Sequence, residues 1–335
     1  MGGGAAAGAG DILESCPEYQ GRVASVKERR HSSLWAGYGS ITQVTVQLDD
    51  GSTEKMILKT VDPPDDRGVG HERKVASYLV EAAFYRDHAA KLIEFGVAVP
   101  RPIAIETEGN RVRFLLSDLT SSHPHNNAGF DDTQANAALE WLASFHAYFF
   151  EKPLPPGLQP QGSYWYLDTR MEEFGSIGRE WARLKAAGPA IDRRAKGLGP
   201  GGARSGAFRT VLHGDFKAAN ILHSPGDAAC AAYDFQYCGE SYGARDVAYL
   251  LASSVDSRVA GAEEKMLRHY HGALQGHLRR RGLAGRADAY TYEKVVMHYE
   301  ICLLDYVRFM AGWGFWGNSR YAESRAREIL DRLDG

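Results

Sequence analysis

The chain has few cysteines, and they do not follow the spacing of a metal site. The four thiols are Cys16, Cys230, Cys238 and Cys302. They form no Cys-x-x-Cys pair, and no apolar secretory segment precedes them. Reduced thiols in a cytoplasmic protein are therefore the simplest expectation.

Long apolar runs and an excess of one charge are also lacking. The best candidate for a membrane span, residues 302–316, is interrupted by Asp305 and Arg308. The formal net charge of −3 gives no general attraction to nucleic acid or to an anionic membrane. We therefore expect a soluble protein with no nucleic-acid or membrane partner, and its oligomeric state stays open.

The length and the composition allow two lobes. A chain of 335 residues with 44% hydrophobic side chains can bury enough apolar surface to form a separate core in each lobe. The start of the chain is rich in glycine and alanine, which predicts a disordered tail over residues 1–19. Strand patterns dominate residues 20–119, and helical patterns dominate residues 120–335. Residues 71–95 have helix-forming composition without glycine or proline, which predicts one helix or two that end at Gly96, and a further helix is expected near residues 171–187.

One stretch, residues 211–222, places polar side chains between two apolar pairs and reads V-L-H-G-D-F-K-A-A-N-I-L. Asp215 has the spacing of a base that takes a proton from a hydroxyl. Asn220 and the later Asp234 supply the hard oxygen ligands that Mg²⁺ prefers. The pattern is typical of phosphoryl transfer from a nucleotide.

The spacing between these residues indicates how they come together. Turn-forming residues at 224–227 predict a short hairpin, which would return Asp234 close to Asn220. Lys217, two residues after Asp215, would lie near the attacking oxygen, where its positive charge offsets developing negative charge.

An earlier hairpin is predicted from residues 41–48 and 54–61, which flank the turn Asp49-Asp50-Gly51. Lys59 lies among apolar residues on the second strand, so it needs an anionic partner, and the phosphates of a nucleotide would be one. A surface lysine at a strand edge is the alternative.

A small-residue segment precedes this hairpin. Gly37, Gly39 and Ser40 would let the backbone approach phosphates and offer N–H groups to them. Thr42 stands where a third glycine would complete the G-x-G-x-x-G form. A plain turn explains the same residues.

The order H-x-D-x-K-x-x-N followed by D-F resembles the catalytic loop of protein-kinase-like folds. This version is similar to the superfamily of aminoglycoside phosphotransferases, choline kinases and ecdysteroid-kinase-like proteins. Only twelve positions separate Asp234 from Asp246, no A-P-E follows, and Gln236 replaces the glycine of D-F-G. These departures disfavour a protein substrate. The D-F-Q triplet favours the ecdysteroid-kinase-like branch.

The resemblance implies an α+β, protein-kinase-like fold of two lobes. Its small N-terminal lobe holds an antiparallel sheet and a helix and binds ATP, and its larger, mainly helical lobe holds the catalytic loop and the acceptor. It implies that Glu81 pairs with Lys59, and that Asp246 caps its helix or orients the catalytic loop. The backbone of Leu116, Ser117, Asp118 and Leu119 would hydrogen-bond an adenine edge.

We therefore expect a kinase that uses ATP and Mg²⁺ to phosphorylate a hydroxyl group of a small molecule. His213 would support the loop rather than transfer protons. Two alternatives remain: a nucleotide-binding scaffold without activity, and a non-haem iron oxygenase that adds His269, His271 or His298 to His213 and Asp215.

The acceptor itself is not readable. From residue 120 onward 25 Lys or Arg residues balance 25 Asp or Glu residues, so the acidic excess suited to a polycationic aminoglycoside is missing. The aromatic residues of Gly312-Trp-Gly-Phe-Trp-Gly317 are typical of core, although they would also suit an acceptor pocket. The glycine-rich loop 197–202 is expected to be mobile.

Overall fold

In a computed structural model the chain forms two compact units, and residues 8–66, 68–197, 207–256, 258 and 261–334 are described. The first unit comprises Met1–Glu94 and Val99–Ser122, and the second comprises Phe95–Ala98 and His123–Gly335. The first is built on a sheet and the second is mainly helical, which confirms the predicted α+β class.

The first unit contains a five-stranded antiparallel sheet with the strand order β1-β2-β3-β5-β4. The strands are β1 (Val23–Ser33), β2 (Gly39–Leu48), β3 (Thr53–Val61), β4 (Pro102–Glu108) and β5 (Arg111–Ser117). The predicted hairpin is confirmed, since β2 pairs with β3 from Gly39↔Val61 to Gln47↔Thr53. Alternating apolar residues of β2 and β3 face the core, and Val44, Val46, Met56 and Leu58 are buried.

A short helix, α1 (Ala9–Ser15), packs on this sheet. Ile12 and Leu13 are buried in the same cluster as the core residues of β2 and β3. The prediction of a disordered tail over residues 1–19 is therefore wrong for residues 9–15. The apolar side chains at 12 and 13 bury enough surface to order the segment, whereas residues 1–7 lie outside the described residues.

The helical part of the first unit begins at Val69. Helix α2 (Val69–Phe84) continues through a π-helical turn at Tyr85–Ala89 into α3 (Ala90–Phe95). The predicted helical run from 71 to 95 is thus confirmed, and Gly96 with φ of 96° ends it. The π-turn adds a residue to one turn and shifts the face that the following helix buries.

The second unit carries the other described helices and two small two-stranded sheets. The helices are α4 (Asp132–Phe149), α5 (Met171–Gly175), α6 (Ala182–Ala195), α7 (Ala244–Ser253), α8 (Glu263–Arg280), α9 (Ala284–Ala289), α10 (Tyr292–Trp313) and α11 (Ser319–Asp334). Strand β6 (Arg209–Leu212) pairs antiparallel with β9 (Gly239–Tyr242), and β7 (Ile221–His223) with β8 (Cys230–Ala232). The predicted hairpin around the turn at 224–227 is confirmed.

A single helix was expected between 171 and 187, and this prediction is wrong. The structure has α5, a 3₁₀ turn at Arg179–Trp181, and then α6, which runs on to Ala195. Gly175 and Gly178 lie at the interruption, where glycine has little preference for helix. Of the loop 197–202, residues 198–202 lie outside the described residues.

The four cysteines are free and buried. Within the described part of the chain, no helix combines the length and the apolar character that a membrane crossing requires.

Replacing Leu13 by Ala should lower the free energy of unfolding by about 2–5 kcal/mol, because a fully buried leucine of α1 leaves a cavity under the sheet. Glu14→Ala is the matched control, since its side chain is exposed on the same helix. Urea unfolding of both variants measures the difference. Equal stability of the two variants would mean that α1 does not contribute to the core.

His298 should make stability depend on pH. Burial lowers its pKa from the ordinary 6.5 to about 4, and its ring stacks on Tyr242 with centroids 3.7 Å apart. The unfolded chain therefore binds a proton below pH 6.5 that the folded chain does not. The contribution of His298 to stability is therefore fully present above pH 6.5 and is lost as the pH falls toward 4.

We expect the wild-type protein to lose roughly 2 kcal/mol more than His298→Gln between pH 7 and pH 5. Urea unfolding at both pH values gives this difference. His31→Gln changes an exposed histidine and should keep the wild-type dependence. Parallel pH profiles for wild type and His298→Gln would contradict the assignment.

Candidate active site

The loop that the sequence predicts to be catalytic begins where β6 ends, and a buried carboxylate holds its backbone. The N–H groups of His213 and Gly214 donate to the two carboxylate oxygens of Asp246, at 2.8 Å and 3.0 Å. Asp246 is fully buried in the first turn of α7. The prediction that Asp246 orients the loop is confirmed.

Gly214 is required at this position. Its φ of 84° is left-handed, and a Cβ atom there would lie 2.1 Å from the carbonyl oxygen of Tyr237. Two groups extend the support for Asp246. His146 Nε2 donates to Asp246 at 3.1 Å, and the Tyr270 hydroxyl lies 2.9 Å from His146 Nδ1. The loop therefore rests on a chain of buried hydrogen bonds from α4, α7 and α8.

His213 supports the loop with both ring nitrogens. Its Nδ1 accepts from the Asp215 N–H at 3.3 Å, and its Nε2 lies 3.1 Å from the carbonyl oxygen of Tyr233. Burial lowers the pKa of the imidazole, so the neutral ring with a proton on Nε2 satisfies both contacts. A ring used in this way has no nitrogen left for proton transfer.

Asp215 is buried, and three side chains contact its carboxylate. The Lys217 ammonium lies 3.0 Å from both oxygens, Asn220 Nδ2 donates to Oδ2 at 3.0 Å, and the Tyr249 hydroxyl donates to Oδ1 at 2.9 Å. Burial raises the pKa of Asp215. The Lys217 charge opposes that rise, and the Asp234 charge adds to it. A carboxylate with a raised pKa is a stronger proton acceptor.

Asn220 and Asp234 approach each other through the β7–β8 hairpin. The Tyr233 N–H donates to the Asn220 carbonyl oxygen at 3.1 Å, which places Asp234 beside the start of the hairpin. Asp234 has a φ of 69°, which is unusual for a residue other than glycine, and the Gln236 amide donates to its Oδ1.

The two residues offer oxygen atoms of the kind that Mg²⁺ accepts. Asn220 Nδ2 donates to the carbonyl oxygen of Asp215 at 2.8 Å and to its carboxylate oxygen Oδ2 at 3.0 Å. These two bonds set the orientation of the amide, so Asn220 Oδ1 is directed away from Asp215. One amide oxygen and one carboxylate, completed by waters and phosphate oxygens, form the ligand set that Mg²⁺ accepts.

A pair of tyrosines that was not predicted from the sequence lies behind Asp215. The hydroxyl of Tyr164 lies 3.0 Å from that of Tyr249, which in turn bonds Asp215. Tyr249 comes from α7, three residues after Asp246, so one helix both holds the loop and contacts the carboxylate. The spacing of Asp246 and Tyr249 on one helix face was the available signal.

A second group of predicted residues lies in the sheet unit. Lys59 Nζ is 2.7 Å from Glu81 Oε2, and both side chains are buried. The predicted partner is therefore confirmed. The rings of Tyr78 and Phe114 lie 5.4 Å and 5.6 Å from the Lys59 ammonium, so the charge is enclosed by one anion and two aromatic faces.

The small-residue segment is built partly for sheet packing. A Cβ atom at Gly39 would lie 1.9 Å from the Thr60 carbonyl oxygen, so the pairing of β2 with β3 already requires glycine. Gly37 has a φ of 76° and an open surrounding, and Ser40 pairs with Thr60 in the strand register. Neither observation depends on a phosphate.

The predicted adenine-binding backbone is partly engaged within its own unit. The Ser117 N–H donates to the Arg101 carbonyl oxygen at 2.9 Å, and the Asp118 N–H donates to that of Lys55 at 3.0 Å. Leu116 pairs with Ile57 in the sheet, and Leu119 begins a 3₁₀ turn. An adenine contact here would use groups other than the N–H donors at 117 and 118.

The ligand set of the oxygenase alternative does not assemble. His298 Nδ1 lies 2.9 Å from the Tyr290 hydroxyl, and His271 Nε2 lies 2.8 Å from the Tyr290 carbonyl oxygen. In the described ranges, no three His, Cys, Asp or Glu side chains are placed to hold one metal ion. His213 is committed to backbone contacts, so the alternative loses its first ligand as well.

Several solved structures are similar to this chain. The chain is similar to a choline kinase from Cryptosporidium parvum Iowa II, with 11% identity, a TM-score of 0.52, and coverage of 97% of this chain and 94% of that chain. For a choline/ethanolamine kinase family protein from Mesorhizobium loti the values are 13%, 0.47, 98% and 94%. For an aminoglycoside phosphotransferase from Streptomyces rimosus they are 18%, 0.42, 77% and 92%. The first likeness confirms the predicted protein-kinase-like fold.

The sequence matches no curated protein significantly. It does match a family model, described as the phosphotransferase enzyme family, over residues 39–283. This range includes the predicted catalytic loop, the β7–β8 hairpin and the Lys59–Glu81 pair. Because the match spans well over half of the 335 residues, the chain belongs to the phosphotransferase enzyme family.

Proposed function

We propose that this protein transfers the terminal phosphoryl group of ATP to a hydroxyl group of a small molecule. The observation that carries the proposal is the Asp215 carboxylate. It is buried, contacted by Lys217 and Asn220 at 3.0 Å, and carried on a loop whose backbone is bonded to Asp246. Phosphoryl transfer needs positioning and electrostatic stabilisation more than covalent chemistry, and this arrangement supplies both.

Asp215 is the residue that accepts the hydroxyl proton. Because its pKa is raised, the Asp215 carboxylate accepts a proton from an alcohol more readily than an exposed carboxylate does. Lys217, whose side chain is partly exposed, places a positive charge beside the attacking oxygen and the transferred group. His213 is a positioning residue that keeps the Asp215 backbone in place.

Asn220 and Asp234 would hold Mg²⁺ through oxygen atoms. The ion, when bound, neutralises charge on the phosphates and orients them. The protein's own contribution is to fix these two ligands, through the bonds of Asn220 to Asp215 and of Gln236 to Asp234.

The nucleotide would be held in the sheet unit. Lys59, aligned by Glu81, carries the charge suited to phosphate oxygens, and Gly37, Gly39 and Ser40 provide the adjoining backbone. Adenine recognition by residues 116–119 stays a prediction that rests on the family resemblance.

Three finer assignments complete the proposal. The D-F-Q triplet favours the ecdysteroid-kinase-like branch, and a cytoplasmic location is proposed from the four free thiols. The acceptor is proposed to be an alcohol of low molecular weight. The test is Mg²⁺-dependent ADP release against a panel of alcohols, sterols, sugars and amino alcohols. Nucleotide binding without turnover on any acceptor would instead support an inactive scaffold.

Asp215→Asn should lower kcat roughly 10²–10⁴-fold, because an amide cannot accept the proton. ADP release with the best acceptor of the panel measures the loss, and a titration of nucleotide binding should stay close to wild type. Asp288→Asn changes an exposed carboxylate and should retain full activity. An Asp215→Asn protein that turns over like wild type would remove Asp215 from the mechanism.

Tyr249→Phe should lower kcat about tenfold, with little change in the KM for ATP, because it removes the hydroxyl that bonds Asp215 Oδ1. Losing a hydrogen bond to the charged form raises the carboxyl pKa, so the acidic limb of the pH–rate profile should move to higher pH.

Tyr306→Phe is the matched control for this change. Its buried hydroxyl has no hydrogen-bond partner in the described part of the chain, although its ring centroid lies 5.4 Å from that of Tyr249. It should leave kcat and the pH profile unchanged. Equal effects of the two substitutions would mean that ring packing, not the bond to Asp215, explains the loss.

A further inference from the structure

An aromatic cluster adjoins the Asp215 carboxylate within the helical unit. The Tyr164 hydroxyl connects to Asp215 through Tyr249, and the Tyr164 ring lies 5.9 Å from Phe309. Trp313 continues the cluster, with its ring centroid 5.7 Å from that of Phe309 and 58% of its surface exposed. This cluster is thus open to solvent at one end and joined to Asp215 at the other.

The guanidinium of Arg170 lies over three rings of this cluster. Its Cζ atom is 5.5 Å from the Tyr164 ring centroid, 5.1 Å from that of Phe309 and 5.4 Å from that of Trp313. Each distance falls within the range of about 6 Å in which a cation is attracted to an aromatic face. The three rings together form a cage for one cation, and a side chain of the protein occupies it.

Two polar contacts fix Arg170 in the cage. Its Nε donates to the Tyr164 carbonyl oxygen at 2.8 Å, and its Nη1 lies 3.0 Å from Glu173 Oε1 on α5. The two side chains of this ion pair are only 23% and 17% exposed. An ion pair shielded to this degree is less screened by solvent than a surface pair, so Arg170 is a stable occupant.

An ammonium group in the acceptor would have to share this cage with a permanent positive charge. Two like charges in one cage repel, and the rings cannot present their faces to both. A neutral group meets no such penalty, because it can pack on the exposed face of Trp313 without displacing Arg170.

We propose that the aromatic cluster beside Asp215 lines the acceptor site and that Arg170 is the one cation it holds, so that this enzyme takes hydroxyl compounds without a cationic group. The inference rests on the proposed function for the identity of the site, and it narrows the acceptor class. Quaternary and primary amino alcohols are excluded by charge rather than by size.

Choline and 3,3-dimethylbutan-1-ol form a matched pair of probes, since they have similar shape and differ in the charged nitrogen. We expect the wild-type protein to bind the neutral alcohol at least as tightly as choline, measured by tryptophan fluorescence or calorimetry without nucleotide. Choline binding to the wild type that is tenfold tighter than that of the alcohol would overturn the proposal.

Arg170→Gln should reverse this preference. The amide removes the charge, and Glu173 remains as an anion beside three aromatic faces, so choline should bind roughly tenfold more tightly than to wild type. Arg170→Lys keeps a cation in the cage and should resemble wild type. A folded Arg170→Gln protein with unchanged choline affinity would also overturn the proposal.

Thermal unfolding tests whether the two variants are folded. If Arg170→Gln is unfolded, the relative affinity of the wild-type protein for choline and for 3,3-dimethylbutan-1-ol decides the proposal. These titrations need no turnover. A protein that binds the probes as expected but releases no ADP with any acceptor would contradict the proposed function and leave the assignment of Arg170 intact.

Discussion

The paired hydrogen bonds from the catalytic loop to Asp246 are the constraint on which the candidate site depends. The carboxylate is fully buried and accepts the N–H groups of His213 and Gly214. A charge without partners would be costly there, so the loop conformation that supplies two donors is strongly favoured. Asp215 is the next residue after Gly214, so these bonds determine its position. The position of the candidate base is thus set by a residue 31 positions later in the chain.

The same principle, a charge that is shielded from solvent and has a fixed partner, recurs at each candidate position. Lys59 is enclosed by Glu81 and two rings, and Asp215 by Lys217, Asn220 and Tyr249. Arg170 is enclosed by Glu173 and three rings. Such groups lose their contacts with water on burial, and only one arrangement of partners replaces these contacts. The groups are therefore held rigidly. That rigidity suits a reaction whose catalysis is mostly positioning.

Much of this arrangement was predictable, and the misses have clear causes. The β2–β3 and β7–β8 hairpins followed from turn residues between apolar strands, and Glu81 followed from the family resemblance. The N-terminal segment was misjudged because composition outweighed two apolar residues, Ile12 and Leu13, whose burial depends on a sheet formed later in the chain. The helix expected at 171–187 failed at Gly175 and Gly178, where local preference opposed the helical pattern.

By itself the sequence determined the fold class and the candidates for base, metal ligands and phosphate-binding lysine, because their spacing along one loop or strand is local. Tertiary structure alone decided which distant groups meet them. Tyr249 contacts Asp215 because α7 also carries Asp246, to which the loop is bonded. Arg170 contacts the rings of Phe309 and Trp313 because α5 lies beside α10. Contacts between side chains far apart in sequence depend on how the helices pack; spacing along the chain places two residues on a common helix face, as it does Asp246 and Tyr249, but does not say what that face contacts.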